Sequence, residues 1–320
     1  MTTTPALKKG LPWSTVLVLL LVGLPLLACA CSVIVGLAMS RGETPGLGVT
    51  GDAVAVIYAE GIISSGSAGS ASGIGGVTPP RLKADLRRAA NDASVKAVVL
   101  RIDSPGGSVV ASNEIYRMLK EFSKPVVVSM GETAASGGYY IACASRWIVA
   151  NPDTLTGSIG VISELPNAEE LLKKIGVQII VVKSGANKDM GSFSRPMTDD
   201  ETKLWQAVID QAYDGFVKIV AEGRNLPEER VRPLADGRVY TGRQAKELGL
   251  VDQLGYLDDA IAKAGELGGI TGKPRTVEYV PRPTLLELLT SMSSRASGIS
   301  LEQILGFDAM PRLEYRFVGP

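Results

Sequence analysis

The chain has 320 residues, and 33 lysines plus arginines balance 33 aspartates plus glutamates. That balance leaves no net field to recruit nucleic acid, and the length suits one large domain or two small ones with a full apolar core. Histidine is absent altogether, so any nucleophile must find a base other than imidazole, and lysine is the foremost substitute.

Residues 1–12 include Lys8 and Lys9. From Trp13 to Met39 the chain is almost wholly apolar, with no charge between Lys9 and Arg41. About 20 apolar residues span a bilayer, so 13–39 reads as a transmembrane anchor. The two lysines place the N-terminus in the cytoplasm and everything beyond about Ser40 outside. A cleaved signal peptide is the rival reading, but its apolar core is normally shorter. Leu26-Leu27-Ala28-Cys29 loosely resembles a lipoprotein cleavage box. Its leucine before the small residue fits poorly, so an anchor is preferred to lipidation at Cys29. Cys29 and Cys31 fall in this span, leaving Cys143 alone in the outer domain as a small core residue without a disulfide partner.

Residues 40–51 form a Gly/Pro/Thr linker, 52–270 the main domain and 271–320 a tail with no assigned structure. Ala53–Tyr58 reads as a buried strand, and Ser64–Gly76 as a Ser/Gly-rich loop. Pro79 and Pro80 open a helix reaching about Ala93, with Leu82, Leu86 and Ala89 inward and the basic residues of 81–88 solvated. Then strand Ala97–Ile102, helix Ser108–Phe122, strand Pro125–Ser129, helix Ser136–Ala144 and strand Trp147–Ala150 follow in turn. Helix Ala168–Ile175 leads to a strand at Val177–Lys183. Continuous apolar strands alternating with helices predict an α/β fold with a parallel sheet covered on both faces. Asp199–Glu222 is a long amphipathic helix with Trp205, Ile209, Tyr213 and Phe216 as its expected buried stripe. In the tail, Leu285–Met292 could form a short amphipathic helix, and Tyr315–Val318 ends the chain with apolar residues.

Two stretches carry chemistry. Ser104-Pro-Gly-Gly107 follows a strand and precedes a helix, so its backbone N–H groups can face a cleft and hold an oxyanion, an interaction worth about 2.7–4 kcal/mol per donor. By itself this pattern is also an ordinary strand-to-helix turn. Ala135-Ser136-Gly137-Gly138-Tyr139-Tyr140 puts a serine at the start of a helix. An N-cap serine is the common alternative, yet two following glycines cost helix stability that a mere cap does not require. A lysine base must be neutral, which asks for roughly 4 kcal/mol of selective destabilisation of an ammonium whose reference pKa is about 10.4. Lys183 and Lys188, in Lys183-Ser-Gly-Ala-Asn-Lys188-Asp189, are the candidates; a close Asp189 would raise the pKa of Lys188, so it must point elsewhere.

Together with Thr156-Gly-Ser158-Ile-Gly-Val161 and Asp236–Gly255, these motifs stand in the order and spacing of the signal peptide peptidase A family, which residues 50–270 resemble in its short, single-domain form. The resemblance implies a ClpP/crotonase-like fold and a serine protease with a Ser-Lys dyad. It implies Ser136 as nucleophile, Lys188 as base through the pattern Gly185-Ala-Asn-Lys188, Ser158 as the hydroxyl that holds the lysine amine, and Gly107 with Gly137 as oxyanion donors. It further implies a ring-like homo-oligomer that joins Ser and Lys across subunits, peptide substrates such as remnant signal peptides, and no metal or organic cofactor. The closing Pro311-Arg-Leu-Glu-Tyr315 is the one part of the tail that matches. The expected location is the cytoplasmic membrane, with the lipid bilayer as partner and the catalytic domain outside. A related membrane protease with a specific protein substrate is the nearest rival. A crotonase-like acyl-CoA enzyme and a non-catalytic membrane scaffold stand further off.

Overall fold

The computed structural model describes residues 51–66, 76–279 and 313–317. Contacts divide the chain between Thr50 and Gly51, and every described residue falls in the second unit. The expected anchor at 13–39, Cys29 and the short helix 285–292 lie outside the described residues. Among the described residues no helix is long and apolar enough to cross a membrane.

In chain order the first half comprises β1 (Ala53–Glu60), α1 (Pro79–Asn91), β2 (Val95–Ser104), β3 (Gly106–Ser108), α2 (Val109–Lys120), β4 (Val126–Ala135) and α3 (Gly137–Ala142). There follow β5 (Trp147–Ala150), β6 (Leu155–Gly157), α4 (Glu169–Lys174), α5 (Asp199–Arg224), α6 (Glu228–Val231) and β7 (Val239–Thr241). The remainder is α7 (Gly242–Glu247), β8 (Gln253–Leu254), α8 (Leu257–Leu267), β9 (Arg275–Tyr279) and β10 (Glu314–Arg316). The main sheet runs β7-β6-β4-β2-β1-β9, and β5 pairs with both β4 and β8. Every pairing in it is parallel except β6 with β7. This is a mixed α/β fold with a largely parallel sheet.

The strands are parallel and buried because their residues are apolar on both faces. Ala55, Ile57, Val98, Leu100 and Val128 join Leu82 and Leu86 of α1, Ile115 of α2 and Phe216 of α5 in one core. Val54, Val56, Val99, Val127 and Val149 pack on Ala260 and Ala264 of α8 from the other side. α1 opens with prolines in its first turn and buries Leu82, Leu86 and Ala89. α5 starts in a capping box between Thr198 and Glu201, which satisfies two otherwise orphan N–H groups.

Three features differ from the sequence reading. β4 runs six residues beyond Ser129 because its second half finds a new neighbour. Its first half pairs with β5 and its last residues, Thr133–Ala135, with β6. The stretch 177–183 forms no strand: no strand lies beside it, and Ile180 and Val182 are 81% and 95% exposed. Among the apolar residues of α5 full burial begins only at Phe216, while Trp205, Ile209 and Tyr213 are half-buried and Leu204 and Val208 are exposed. The amphipathic stripe is real, but the body of the domain covers only its C-terminal part.

Candidate active site

β4 delivers Ser136. The register of β2 with β4 jumps from Ile102–Met130 to Ser104–Ala134, a bulge that spends two extra residues on β4. Asp103 fills the gap, its Oδ1 accepting from Thr133 N–H at 3.0 Å. At the strand's end Ser136 takes φ 53° and ψ −117°, a conformation that costs a non-glycine residue of order 1–3 kcal/mol. Its N–H donates to Gly157 O at 2.8 Å, and its C=O accepts from Tyr140 N–H at 2.8 Å. The side chain makes no capping bond. A cap explanation therefore fails for Ser136: the strain is kept, and the hydroxyl does nothing for the helix. Sharp strand-to-helix turns of this kind push a serine hydroxyl out beyond a sheet edge.

The glycines that follow Ser136 are there for close approach. A Cβ on Gly138 would meet Ser104 O at 2.8 Å, and one on Gly137 would meet Ser112 Oγ at 2.7 Å. Gly106, at φ 97°, touches the same corner: its Cβ would lie 2.6 Å from Gly137 N. The Ser104–Ser108 turn and the start of α3 are thus pressed together, which brings Ser136, Gly137 and Gly107 to one place. Ser158 joins them. β6 pairs Gly157 with Ala135, so Ser158 follows Gly157 as Ser136 follows Ala135. It is buried, at φ 48°, with its N–H given to Arg238 O.

The Gly107 N–H does not face an empty cleft. β3 lies between Ile63 and β10, with Gly107 opposite Tyr315 in an antiparallel ladder. Val109 N–H donates to Leu313 O and Phe317 N–H to Pro105 O, two residues away on either side. Alternation then makes Gly107 and Tyr315 the pair that exchanges both hydrogen bonds. On its other edge β10 pairs with Ile162, Glu314 and Ile162 exchanging N–H···O bonds of 3.0 Å each way. A segment of the chain itself therefore lies as an extended strand across the corner that holds Ser136.

The lysines are elsewhere. Lys183 Nζ donates to Asp189 Oδ1 at 2.6 Å and to Ala186 O at 2.8 Å. Asp189 is also bound by Arg195, and these donors hold its carboxyl well below the usual range. The Asp189 carboxylate is taken up by Lys183 and Arg195, and no ion pair joins it to Lys188. Lys188 sits in a short 3-10 turn, Ala186–Asp189, its N–H donating to Gly185 O at 3.2 Å; its side chain is exposed and finds no ion pair among the described residues. Within one copy of the chain, Ser136 is nearly fully buried and Lys188 is in water.

Sequence reasoning passed over two neighbours of the site. Ser112 is fully buried beside Gly137, and its hydroxyl has no hydrogen-bond partner among the described residues. Tyr315 is 2% exposed, stacked on Tyr140 with ring centroids 5.0 Å apart and tilted against Phe216 at 4.6 Å. The match at Pro311–Tyr315 was the available signal for the second; nothing in the pattern singled out Ser112. Cys143 is buried, and desolvation pushes its thiol up to about 12, which makes it inert. Among the described residues no group of acidic and cysteine side chains converges to hold a metal.

A strained, uncapped serine beside a glycine turn, at the end of a strand in a parallel-rich sheet, is a corner of the kind on which serine hydrolases carry a nucleophile. The pattern of Peptidase family S49 matches residues 118–271, and that of Clp protease matches residues 80–152. The chain is 45% identical over 216 residues to a candidate protease of Synechocystis sp., covering 65% of this chain and 78% of that protein. It is 41% identical over 260 residues to Protease 4 of Salmonella typhi, 80% of this chain and 41% of that one. A candidate signal peptide peptidase SppA of Enterococcus faecium is 46% identical over 179 residues, 55% of this chain and 52% of that protein. The chain belongs to peptidase family S49 and is a serine protease.

Proposed function

We propose that this protein is a membrane-anchored endopeptidase that degrades remnant signal peptides and other extended apolar peptides outside the cytoplasm. The observation that carries the reading is Ser136, held at φ 53° without a capping bond, next to a turn whose glycines can hold an oxyanion. In the proposed reaction Ser136 Oγ attacks a peptide carbonyl while the neutral amine of Lys188 takes the hydroxyl proton. Once β10 has left β3, the Gly107 and Gly137 N–H groups stabilise the oxyanion. Lys188 returns the proton to the leaving amine, and water, deprotonated by the same amine, releases the acyl group. The Ser158 hydroxyl holds the lysine amine in place.

Lys188 works as base only when dehydrated, and its exposure within one copy supports delivery by a neighbouring copy in a ring-like homo-oligomer. Exposed apolar residues on the same stretch, Ile175, Ile180 and Val182 among them, support burial of this stretch between copies. Lys183, already committed to Asp189, is the weaker candidate. The apolar run 13–39 supports the anchor, and the name of the Enterococcus relative supports the signal-peptide substrate class.

Hydrolysis of a fluorogenic apolar peptide by the full chain in detergent tests the reading. Ser136→Ala and Lys188→Ala are each expected to abolish cleavage, and Lys183→Ala to retain it. Mixing the two dead variants during assembly should restore part of the activity. An active Ser136→Ala protein sinks the mechanism. A dead Lys183→Ala with a live Lys188→Ala moves the base.

A further inference from the structure

Asp189 follows the proposed base in the chain, and a carboxylate free to face Lys188 would hold it as the ammonium. The structure gives that carboxylate other partners. Arg195 Nε donates to its Oδ2 at 2.9 Å and Arg195 Nη2 to its Oδ1 at 2.7 Å. Lys183 Nζ donates to the same Oδ1 at 2.6 Å. Three charge-assisted bonds converge on one carboxylate, two of them from the planar fork of a guanidinium.

The other side of that fork holds a second carboxylate. Arg195 Nη1 and Nη2 donate to Glu201 Oε2 and Oε1 at 2.8 and 2.5 Å, and Nη1 also donates to Pro196 O at 2.9 Å. Every N–H of the guanidinium is therefore engaged. Glu201 in turn accepts from Thr198 N–H at 2.9 Å, within the capping box that opens α5. The Asp189 and Glu201 side chains are 12% and 5% exposed, so either one without its guanidinium would be a poorly hydrated charge. Two cations, Lys183 and Arg195, and two carboxylates, Asp189 and Glu201, close a group with no net charge. That group ties the turn Ala186–Asp189 to the start of α5.

We propose that Arg195, assisted by Lys183, is a positioning residue for Lys188: it cancels the Asp189 charge and pins the turn to α5. The proposal rests on the reading of Lys188 as the base. With that charge cancelled, dehydration by a neighbouring copy can favour the neutral amine, which a bare carboxylate alongside would oppose. Lys183, set aside as the base, acquires a role here. Across the proposed interface the Ser136 corner carries Asp103, bonded to Thr133 N–H, and Arg238, paired with Asp236. Arg316, paired with Glu164, lies on the β10 side. None of these is altered in the test, so they bear on where the pH profile lies and not on how far it moves.

The test follows kcat/KM against pH for the full chain in detergent, with the fluorogenic apolar peptide. A base must be neutral, so activity rises with pH through an acid limb. Arg195→Gln leaves the group with one negative charge in excess. Its limb is expected to move up by about one pH unit, a roughly 10-fold loss on the limb, with most of the rate regained at high pH. Lys183 is the more exposed donor, so Lys183→Ala should move the limb less. Arg195→Gln/Asp189→Asn removes the excess charge, and its limb should return toward the wild-type position although the tie to α5 stays cut. Arg195→Lys keeps the charge without the fork, so its limb should stay in place while kcat/KM falls a few-fold at every pH. A loss in Arg195→Gln that is the same at every pH, or that Asp189→Asn does not reverse, overturns the shielding. Competitive acetylation of Lys188, mapped by mass spectrometry on the Ser136→Ala protein, reads its protonation without turnover. A Lys188 midpoint raised by Arg195→Gln, in a protein whose Lys188→Ala form still cleaves, keeps the shielding and removes the base assignment. A midpoint that does not move removes the shielding even where Lys188→Ala is dead.

Discussion

The corner around Ser136 and the stretch around Lys188 are built on opposite principles. Ser136 is fixed from every side by the chain's own backbone: Gly157 O below, Tyr140 N–H ahead, the Gly106–Gly107 turn alongside. The stretch 177–188 has exposed apolar side chains, no regular element longer than one 3-10 turn, and an unpartnered lysine. One region spends packing energy to hold a strained serine, the proposed nucleophile. The other presents apolar surface and an exposed charge, which the proposed assembly would cover with a neighbouring copy. In the proposed mechanism the catalytic pair is divided between a finished half and an unfinished one.

The largest effect that would sharpen this contrast is on turnover. Ser136→Gly should lose activity by about 10⁴-fold or more, yet raise stability by about 1 kcal/mol because glycine accepts φ 53° without strain. Activity and denaturant melts on one sample check both; a less stable Ser136→Gly protein breaks the strain argument. Next in size, Gly107→Ala at φ 151° sets a Cβ 2.0 Å from Ile63 O, and a loss of about 2–4 kcal/mol is expected. Gly185→Ala in the lysine stretch meets nothing within 4 Å, so a shift under about 0.5 kcal/mol in the dissociated chain is the counterpart. Comparable losses at both glycines would erase the distinction.

Thiol labelling probes the finished half more gently. Cys143 is buried with its thiol pushed up to about 12, so in native protein it should resist alkylation at pH 8 and label only on unfolding, with peptide mapping to separate it from Cys29 and Cys31. The smallest effect is on acid stability. Arg195 and the Thr198 N–H hold the Glu201 carboxyl down to about 2. Its contribution is full above the unfolded value of about 4.3 and is lost as pH falls toward 2. Helix content near the start of α5 should decline across that window, and Glu201→Gln should flatten the dependence.

How legible was this in the sequence? Elements with local causes were: Pro79 and Pro80 opened α1, and the valine runs of β1, β2 and β4 declared a sheet buried on both faces. Ser136 was legible because two glycines after it made no sense in a plain helix, and the structure gives their reason in the close approach of Ser104 O and Gly106. What lay hidden depended on distant partners. Valines and isoleucines at 177–182 read as a strand, since β-propensity does not say whether a neighbour exists. The second half of β4 was hidden because Gly131-Glu132-Thr133 lacks an apolar run, and it is a strand through its pairing with β6 and with Ser104 of β2. Gly107 was read as a free donor, but β10 lies about 200 residues further along the chain, and no local pattern announces such a pairing.

The bulge where Asp103 bridges to Thr133 has a consequence for how this chain tolerates change in length. Two extra residues on β4 preserve the alternation of its faces, so Ala134 and Ala135 keep the sides they would have had in an unbroken ladder. Inserting or deleting one residue between Met130 and Thr133 would invert that parity and turn the nucleophile toward the opposite side of the sheet. A change of two would only lift or lower it along the edge. The segment is therefore a reading frame of period two, and single-residue indels there should be the silent killers in any insertion scan.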